Sequence, residues 1–309
     1  LYPHGRVSEV QRRQMTAVPD ANVHAIAIDG TFDDAQALVK GMFSNPRFRD
    51  EMQLSGINSI NWARVAAQAV YYFTAAVALG SPHRPVSFSV PTGNFGDVLA
   101  GHVARRMGLP LGRLLVATNA NDILARTIAT GTYEVRGVVP TTSPSMDIQV
   151  SSNFERLLFE AYGRDAEAVR RLMAGLAQSR SFTVAPEPLA AIRRDFDAAA
   201  IPEDEVTDEI GRTWREAGYL LDPHTAIGVR AARRHLGHDG ATPVVALSTA
   251  HPAKFPDAVE RATGLRPGLP PHLADLMDKP ERIARLPNDT AAIEAFIRAE
   301  ARAVTGRAA

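Results

Sequence analysis

Pro85-Val86-Ser87-Phe88-Ser89-Val90 followed by Pro91-Thr92-Gly93-Asn94-Phe95-Gly96-Asp97 is a short β-prone run that ends in a glycine-containing turn. The run reads as a buried strand, and Val98 to Met107 reads as a helix entered directly from the turn. Leu114 to Thr118 is the next strand, and Asp122 to Ala129 is a helix that stops before Gly131. Strands and helices alternating through short turns imply parallel pairing with right-handed crossovers, and hence an α/β fold. Glycines in a strand-to-helix turn let successive main-chain N–H groups approach one point, and the helix adds its unpaired N–H groups and positive dipole end. Such a turn is an anion cradle that needs no lysine, with Thr92 and Asn94 as additional side-chain donors. It matches neither G-x-x-x-x-G-K-[ST] nor G-x-G-x-x-G, so nucleotide phosphates are not specifically indicated.

Upstream, Val23 to Ile28 is a β-prone run, Asp33 to Met42 has helical spacing, and Asn58 to Leu79 is a long apolar helix closed by Gly80-Ser81-Pro82. Downstream, residues 153–220 are mostly helical and amphipathic, with Pro186, Pro188 and Pro202 as breaks. A last strand-turn-helix unit runs from Val244 through Ser248-Thr249-Ala250-His251-Pro252 to Thr263. A proline-rich segment beyond Gly264 predicts a surface tail, with one terminal helix from about Ala291 to Ala303.

The 309 residues are 45% apolar and 22% charged, a globular composition that points to two domains or one large α/β domain with appendages. The 34 basic residues balance 34 acidic ones, so no overall field favours nucleic acid or a membrane surface. Absence of cysteine removes disulfides, thiolate metal sites and thiol catalysis, and no metal site is expected. No signal peptide is evident, and Val65 to Leu79 is too short and too interrupted for a membrane span, so a cytoplasmic protein is expected. Lys40, Lys254 and Lys279 are the only lysines, which limits amine chemistry to three positions.

Several motifs in order now carry a family resemblance: Asn58-Ser59-Ile60-Asn61-Trp62-Ala63-Arg64, the Pro91–Asp97 turn, Thr142-Ser143-Pro144-Ser145-Met146-Asp147, Ser151-Ser152-Asn153-Phe154-Glu155-Arg156, Asp222-Pro223-His224-Thr225-Ala226 and Thr249-Ala250-His251-Pro252-Ala253-Lys254-Phe255. From Pro3 to about Val259 the chain resembles threonine synthase. The resemblance implies a lyase with the two-domain, three-layer αβα pyridoxal-phosphate fold (type II), converting O-phosphohomoserine and water to threonine and phosphate. It implies pyridoxal 5'-phosphate as cofactor, with Gly93, Asn94, Phe95, Gly96 and Asp97 around its phosphate and Thr249 at its pyridine nitrogen. Asn61, Arg64, Ser152, Asn153, Arg156 and Lys254 are the candidates for the anionic substrate. Ser151-Ser152-Asn153 with Glu155 also reads as a helix N-cap. His224 and His251 are candidate bases, each equally readable as a structural histidine beside a proline.

The family's Schiff-base lysine lies in a Phe-Lys-Asp segment, and no such segment occurs here. The expectation is therefore a chain lacking its catalytic lysine and an N-terminal part, inactive alone, with that part as its partner besides O-phosphohomoserine. Residues 1–52 are then the remainder of the smaller domain. Residues 53–265 are the cofactor-phosphate domain, with a helical insertion at about 153–218, and 266–309 are a tail and helix. The alternatives are another pyridoxal-phosphate lyase of the same fold or a non-catalytic homologue that binds a phosphorylated metabolite.

Overall fold

The computed structural model describes residues 1–238 and 240–301. It separates into two compact units: residues 1–56 with the C-terminal segment from Gly268, and residues 57–267.

In the first unit, β1 (Tyr2–Pro3), α1 (Glu9–Thr16), β2 (Ala25–Ile28), α2 (Phe32–Ser44) and α3 (Pro46–Glu51) come in order. Thr31 and Asp34 form a capping box that starts α2. The second unit contains α4 (Trp62–Ala78), β3 (Val86–Pro91), α5 (Gly96–Arg106), β4 (Leu111–Thr118), α6 (Ile123–Thr130) and β5 (Thr132–Glu134). It continues with α7 (Phe154–Ala161), α8 (Ala166–Ser179), β6 (Ser181–Thr183), α9 (Pro186–Asp195), β7 (Phe196–Ala200), α10 (Glu203–Ala217), α11 (Pro223–Leu236), β8 (Val244–Ala246) and α12 (Pro256–Thr263). The chain then adds β9 (Ile283–Leu286) and α13 (Thr290–Glu300) to the first unit.

The first unit is built on a parallel sheet, β1-β2-β9, with Ala25 opposite Ile283. Ile26, Ile28, Leu38, Met42, Phe48 and Ile293 form its core. The C-terminal segment is thus no surface tail: β9 completes this sheet, and Glu281 pairs with Arg12 through two 2.8 Å bonds. Residues 302–309, where the expected terminal helix would finish, lie outside the described residues.

The second unit carries the sheet β7-β4-β3-β8, parallel at every pairing. All six residues of β3 are buried because helices cover both faces, which is how an all-parallel sheet is stabilised. Alternation along the strand sends Val86, Phe88 and Val90 into the core shared with α4 and α5, whereas Ser89 on the other face donates to Gly228 O of α11 at 2.7 Å. A second core, with Ala117, Ile201, Ile210 and Ile227, lies under α10 and α11. This is the αβα sandwich expected from the sequence, with one difference. The stretch expected to be a helical insertion also contributes two strands, β6, paired antiparallel with β5, and β7, the strand beside β4.

From β3 the chain steps to β4 on one side and later to β8 on the other, so strand order reverses between β3 and β8. Open parallel sheets bind ligands beyond the carboxyl ends of their strands at this switch point. Two chain segments leave the sheet there, residues 92–95 after β3 and 247–251 after β8. Among the described residues, no helix is long and apolar enough to cross a membrane.

Candidate functional site

Thr92 N extends the ladder by donating to Ala117 O at 2.8 Å, and Thr92 Oγ1 turns back to donate to Val90 O at 2.6 Å. The Thr92 hydroxyl proton is therefore spent on the turn itself and not offered to a ligand. Phe95 is left-handed, with φ 62° and ψ 9°, an unusual conformation for a residue bearing a Cβ. Its buried ring holds it there, 5.4 Å from the Phe154 ring and 5.7 Å from that of Phe196. A left-handed residue at the entrance to a helix draws successive N–H groups into a concavity that suits an anion. The N–H groups of Gly93, Asn94, Phe95, Gly96 and Asp97 donate to no acceptor among the described residues.

The carbonyls of the same loop are pinned from the opposite side. Ser151 Oγ donates to Gly93 O at 2.8 Å, and Asn153 donates to Asn94 O through its main-chain N at 3.1 Å and its Nδ2 at 2.9 Å. Ser152 Oγ donates to Asn94 Oδ1 at 3.2 Å. Asn153 starts α7 but its side chain makes no capping bond, so the capping expectation fails and the segment serves as the holder of the loop. Tyr133 fixes the holder by accepting from Ser151 N at 2.8 Å. Sequence reasoning missed Tyr133, which sits outside every motif and stacks on Phe182 at 4.8 Å in the β5–β6 pair.

Arg156 donates to Asn153 Oδ1 at 2.7 Å and to Ile60 O at 2.8 Å, and its guanidinium lies 5.9 Å from the Trp62 ring centroid. Its donors thereby brace the holder. Asn61 caps α4 by accepting from Ala63 N at 2.9 Å, which places the helix start four residues later than Asn58. Arg64 is exposed, with one 3.4 Å bond to Ile57 O. Lys254 is half-buried in a turn of 3-10 helix, and its Nζ has no acceptor among the described residues. Thr249 is exposed in the segment after β8, whose Leu247 N still donates to Ser89 O at 3.0 Å, so it leaves the sheet beside the Gly93–Asp97 loop.

Opposite Gly93 stands the 145–148 segment, held by a polar network at the end of β4. Fully buried Asn119 donates to Asp147 Oδ1 at 2.8 Å and to Ser143 Oγ at 2.9 Å. Asp222 caps α11 by accepting from His224 N at 2.8 Å and also accepts from Thr225 Oγ1. Burial alone would raise the Asp222 carboxyl, but the hydrogen bonds from His224 and Thr225 outweigh it and hold it below the ordinary value. Asp222 Oδ1 also lies 3.0 Å from His224 Nδ1, where it accepts from a proton-bearing Nδ1, and the buried Nε2 has no hydrogen-bond partner among the described residues. His251, the other candidate base, is exposed and uses Nδ1 to accept from Ala253 N at 3.2 Å, a structural turn role.

Asp97 occupies the first turn of α5. Burial pushes its carboxyl up to about 6, against the lowering pull of the Tyr72 hydroxyl and the Arg64 cation. Tyr72 Oη donates to Asp97 O at 2.8 Å. Because the folded-state value lies above the ordinary 3.8, the fold favours the protonated carboxyl, and this contribution is lost as pH rises through about 6. The Asp97→Asn variant should therefore gain on the order of 2 kcal/mol over the parent between pH 4 and pH 8. Urea unfolding at the two pH values measures this, and parallel profiles would refute it.

A family model described as "Threonine synthase, C-terminal" matches residues 225–297. The chain is 52% identical over 298 residues to threonine synthase of Pseudomonas aeruginosa, covering 96% of this chain and 63% of that protein. It is 42% identical over 304 residues to threonine synthase of Corynebacterium glutamicum, again covering 96% of this chain and 63% of that protein. Among solved structures, pyridoxal-phosphate-bound threonine synthase from Brucella melitensis superposes with a TM-score of 0.93 at 58% identity, covering 97% of this chain and 64% of that one. The yeast enzyme does so with a TM-score of 0.88 at 37% identity. The chain thus spans somewhat less than two thirds of the length of these relatives. Over that length both the sequence and the fold of the chain are similar to those of threonine synthases.

Proposed function

We propose that residues 57–267 hold the phosphate of pyridoxal 5'-phosphate in a threonine synthase, whose reaction converts O-phosphohomoserine and water to threonine and phosphate. The observation that carries this reading is the set of N–H groups from Gly93 to Asp97 without protein acceptors, at the switch point of a parallel sheet and at a helix N-terminus. The residues suit the group: a doubly charged phosphate would give each of these donors an acceptor. Bound pyridoxal phosphate supplies an electron sink, and the protein supplies position and electrostatics.

Within that reading each part of the chain has a task. Ser151, Ser152, Asn153 and Arg156 keep the loop carbonyls turned away, so only N–H groups face the phosphate. Thr249 offers the pyridine nitrogen a neutral hydroxyl, which leaves the ring less electron-withdrawing than a carboxylate would. Arg64 and Lys254 are the cations for the substrate's anionic groups, because neither is bound in a salt bridge among the described residues and, unlike Arg156, neither braces the loop holder. His224 Nε2 can accept a proton inside the unit.

Lys40, with Gln36 Oε1 at 3.4 Å, and Lys279, paired with Asp275 at 3.0 Å, are surface residues, and Lys254 serves as an anion partner. The reading therefore assigns no Schiff-base role to any lysine of the chain. Calorimetric titration should show pyridoxal phosphate binding in competition with inorganic phosphate, and Asn153→Ala should weaken both about tenfold. After borohydride reduction, peptide mapping should find Lys254 labelled no more than the surface lysines. The chain by itself should release no threonine from O-phosphohomoserine above a protein-free control. Selective labelling of Lys254, or binding unaffected by phosphate, would overturn the reading.

A further inference from the structure

A cavity of about 750 Å³ opens on the flank of the second unit, between α5, α7 and α8. None of residues 92–97 or 249–254 lines it, so it is separate from the candidate phosphate loop. Leu99, Val103, Phe159, Val169 and Met173 give it an apolar interior, and this size suits a small molecule and not a single ion. Its charged lining is unbalanced: Arg106, Arg156, Arg164 and Arg170 stand with Glu155 and Glu160, and Arg170 also pairs at 2.6 Å with Glu167, which lies outside the lining.

The ion pairs around the cavity leave positive charge over. Glu160 accepts from both Arg106 and Arg164, the latter at 3.1 Å, so one carboxylate serves two guanidinium groups. Arg156 is held in place by neutral oxygens, Asn153 Oδ1 and Ile60 O, and keeps its full charge. Each guanidinium carries five N–H donors, more than these bonds use. His102 also lines the cavity, with both ring nitrogens buried and without a hydrogen-bond partner among the described residues. Burial lowers its titration, so the imidazole is neutral and presents one unmet donor and one unmet acceptor. Buried polar atoms are ordinarily satisfied, so this unpaired imidazole in the cavity wall has hydrogen bonds to give to a polar ligand atom once the side chain turns toward it.

We propose that this cavity is a binding site for a small amphipathic anion: an aromatic or branched apolar body seated between Val103 and Met173, a polar atom meeting His102, and a carboxylate or sulfonate head at the arginine rim. Trp62 lines the mouth and is one of two tryptophans, so Trp214→Phe leaves it as the only indole reporter. The test uses the full chain with 8-anilinonaphthalene-1-sulfonate, whose aromatic body and sulfonate match the proposed class.

In the Trp214→Phe background, energy transfer from Trp62 to the bound probe should saturate at one equivalent. Val103→Trp, added in the native background, fills the apolar interior, and the double change Arg106→Glu with Arg170→Glu reverses the rim. Each should weaken binding at least tenfold with unchanged far-ultraviolet circular dichroism. The charge reversal sits on exposed side chains, so it keeps the test open if the filled variant does not fold. Val77→Ser on the exposed face of α4 removes a competing apolar surface and should leave binding unchanged. Binding that survives the rim reversal, shows no transfer from Trp62, or disappears in Val77→Ser would overturn the proposal.

Discussion

Gly101→Val is expected to destabilise the second unit by about 4 kcal/mol, and Gly101→Ala by about 2 kcal/mol, in urea unfolding. Gly101 lies inside α5 where α4 crosses closest. A Cβ there would stand 2.6 Å from Tyr72 Cε1, 2.8 Å from Tyr72 Cζ and 2.9 Å from Leu114 Cδ2. None of these neighbours can yield cheaply. Tyr72 is fully buried, Phe88 packs on it at 4.8 Å between ring centroids, and its hydroxyl is tied to Asp97 O. Leu114 belongs to a central strand. Helix propensity alone argues the opposite, because alanine is favoured over glycine by about 1 kcal/mol in a helix interior. The overlap distances decide in favour of destabilisation. A Gly101→Ala protein more stable than the parent would refute the argument. The same displacement would loosen Tyr72 from Asp97 and so disturb the first turn of α5, next to the candidate phosphate loop.

Gly101 illustrates which features the sequence displays. Nothing in Gly96-Asp97-Val98-Leu99-Ala100-Gly101-His102 marks that glycine as a helix-crossing point, because its neighbours Tyr72 and Leu114 come from other elements. By contrast β3 was legible, since a β-prone run closed by Thr-Gly-Asn-Phe-Gly carries strand, turn and helix start together. β7 was illegible for a physical reason. Phe-Asp-Ala-Ala-Ala has little intrinsic strand preference and becomes a strand by pairing with β4, where Leu114 meets Phe196. β9 follows the same rule: Ile-Ala-Arg-Leu beyond a proline-rich stretch is fixed by β2, far earlier in the chain. At the site, Ser151-Ser152-Asn153 was legible as important and readable both as substrate ligands and as a helix cap. Its true partners, Gly93 and Asn94, are fixed only by the fold.

Gly93→Val is expected to weaken binding of both pyridoxal phosphate and inorganic phosphate at least about a hundredfold while sparing most of the unit's stability. A Cβ at this position would lie 3.0 Å from Ser145 O, 3.1 Å from Met146 Cα and 3.3 Å from Ile148 Cδ1. Two of these atoms are backbone, and Asn119 and Asp147 hold the segment that carries them, so the wall cannot retreat. The loop must move instead. Ser151 and Asn153 then lose their grip on the carbonyls of Gly93 and Asn94, and the N–H groups that converge at Phe95 lose their common direction. A charge-assisted hydrogen bond contributes about 1.5–3 kcal/mol, so misaligning two of them is enough for a hundredfold loss. Stability should suffer less, because Gly93 sits at the mouth of the loop and the Phe95 ring stays packed against Phe154 and Phe196. Calorimetric titration of the two ligands against parent and variant, with urea unfolding on the same samples, separates the effects. Phosphate affinity unchanged in a folded Gly93→Val protein would mean that the loop's N–H groups do not carry the anion, and the assignment of the site would fall with them.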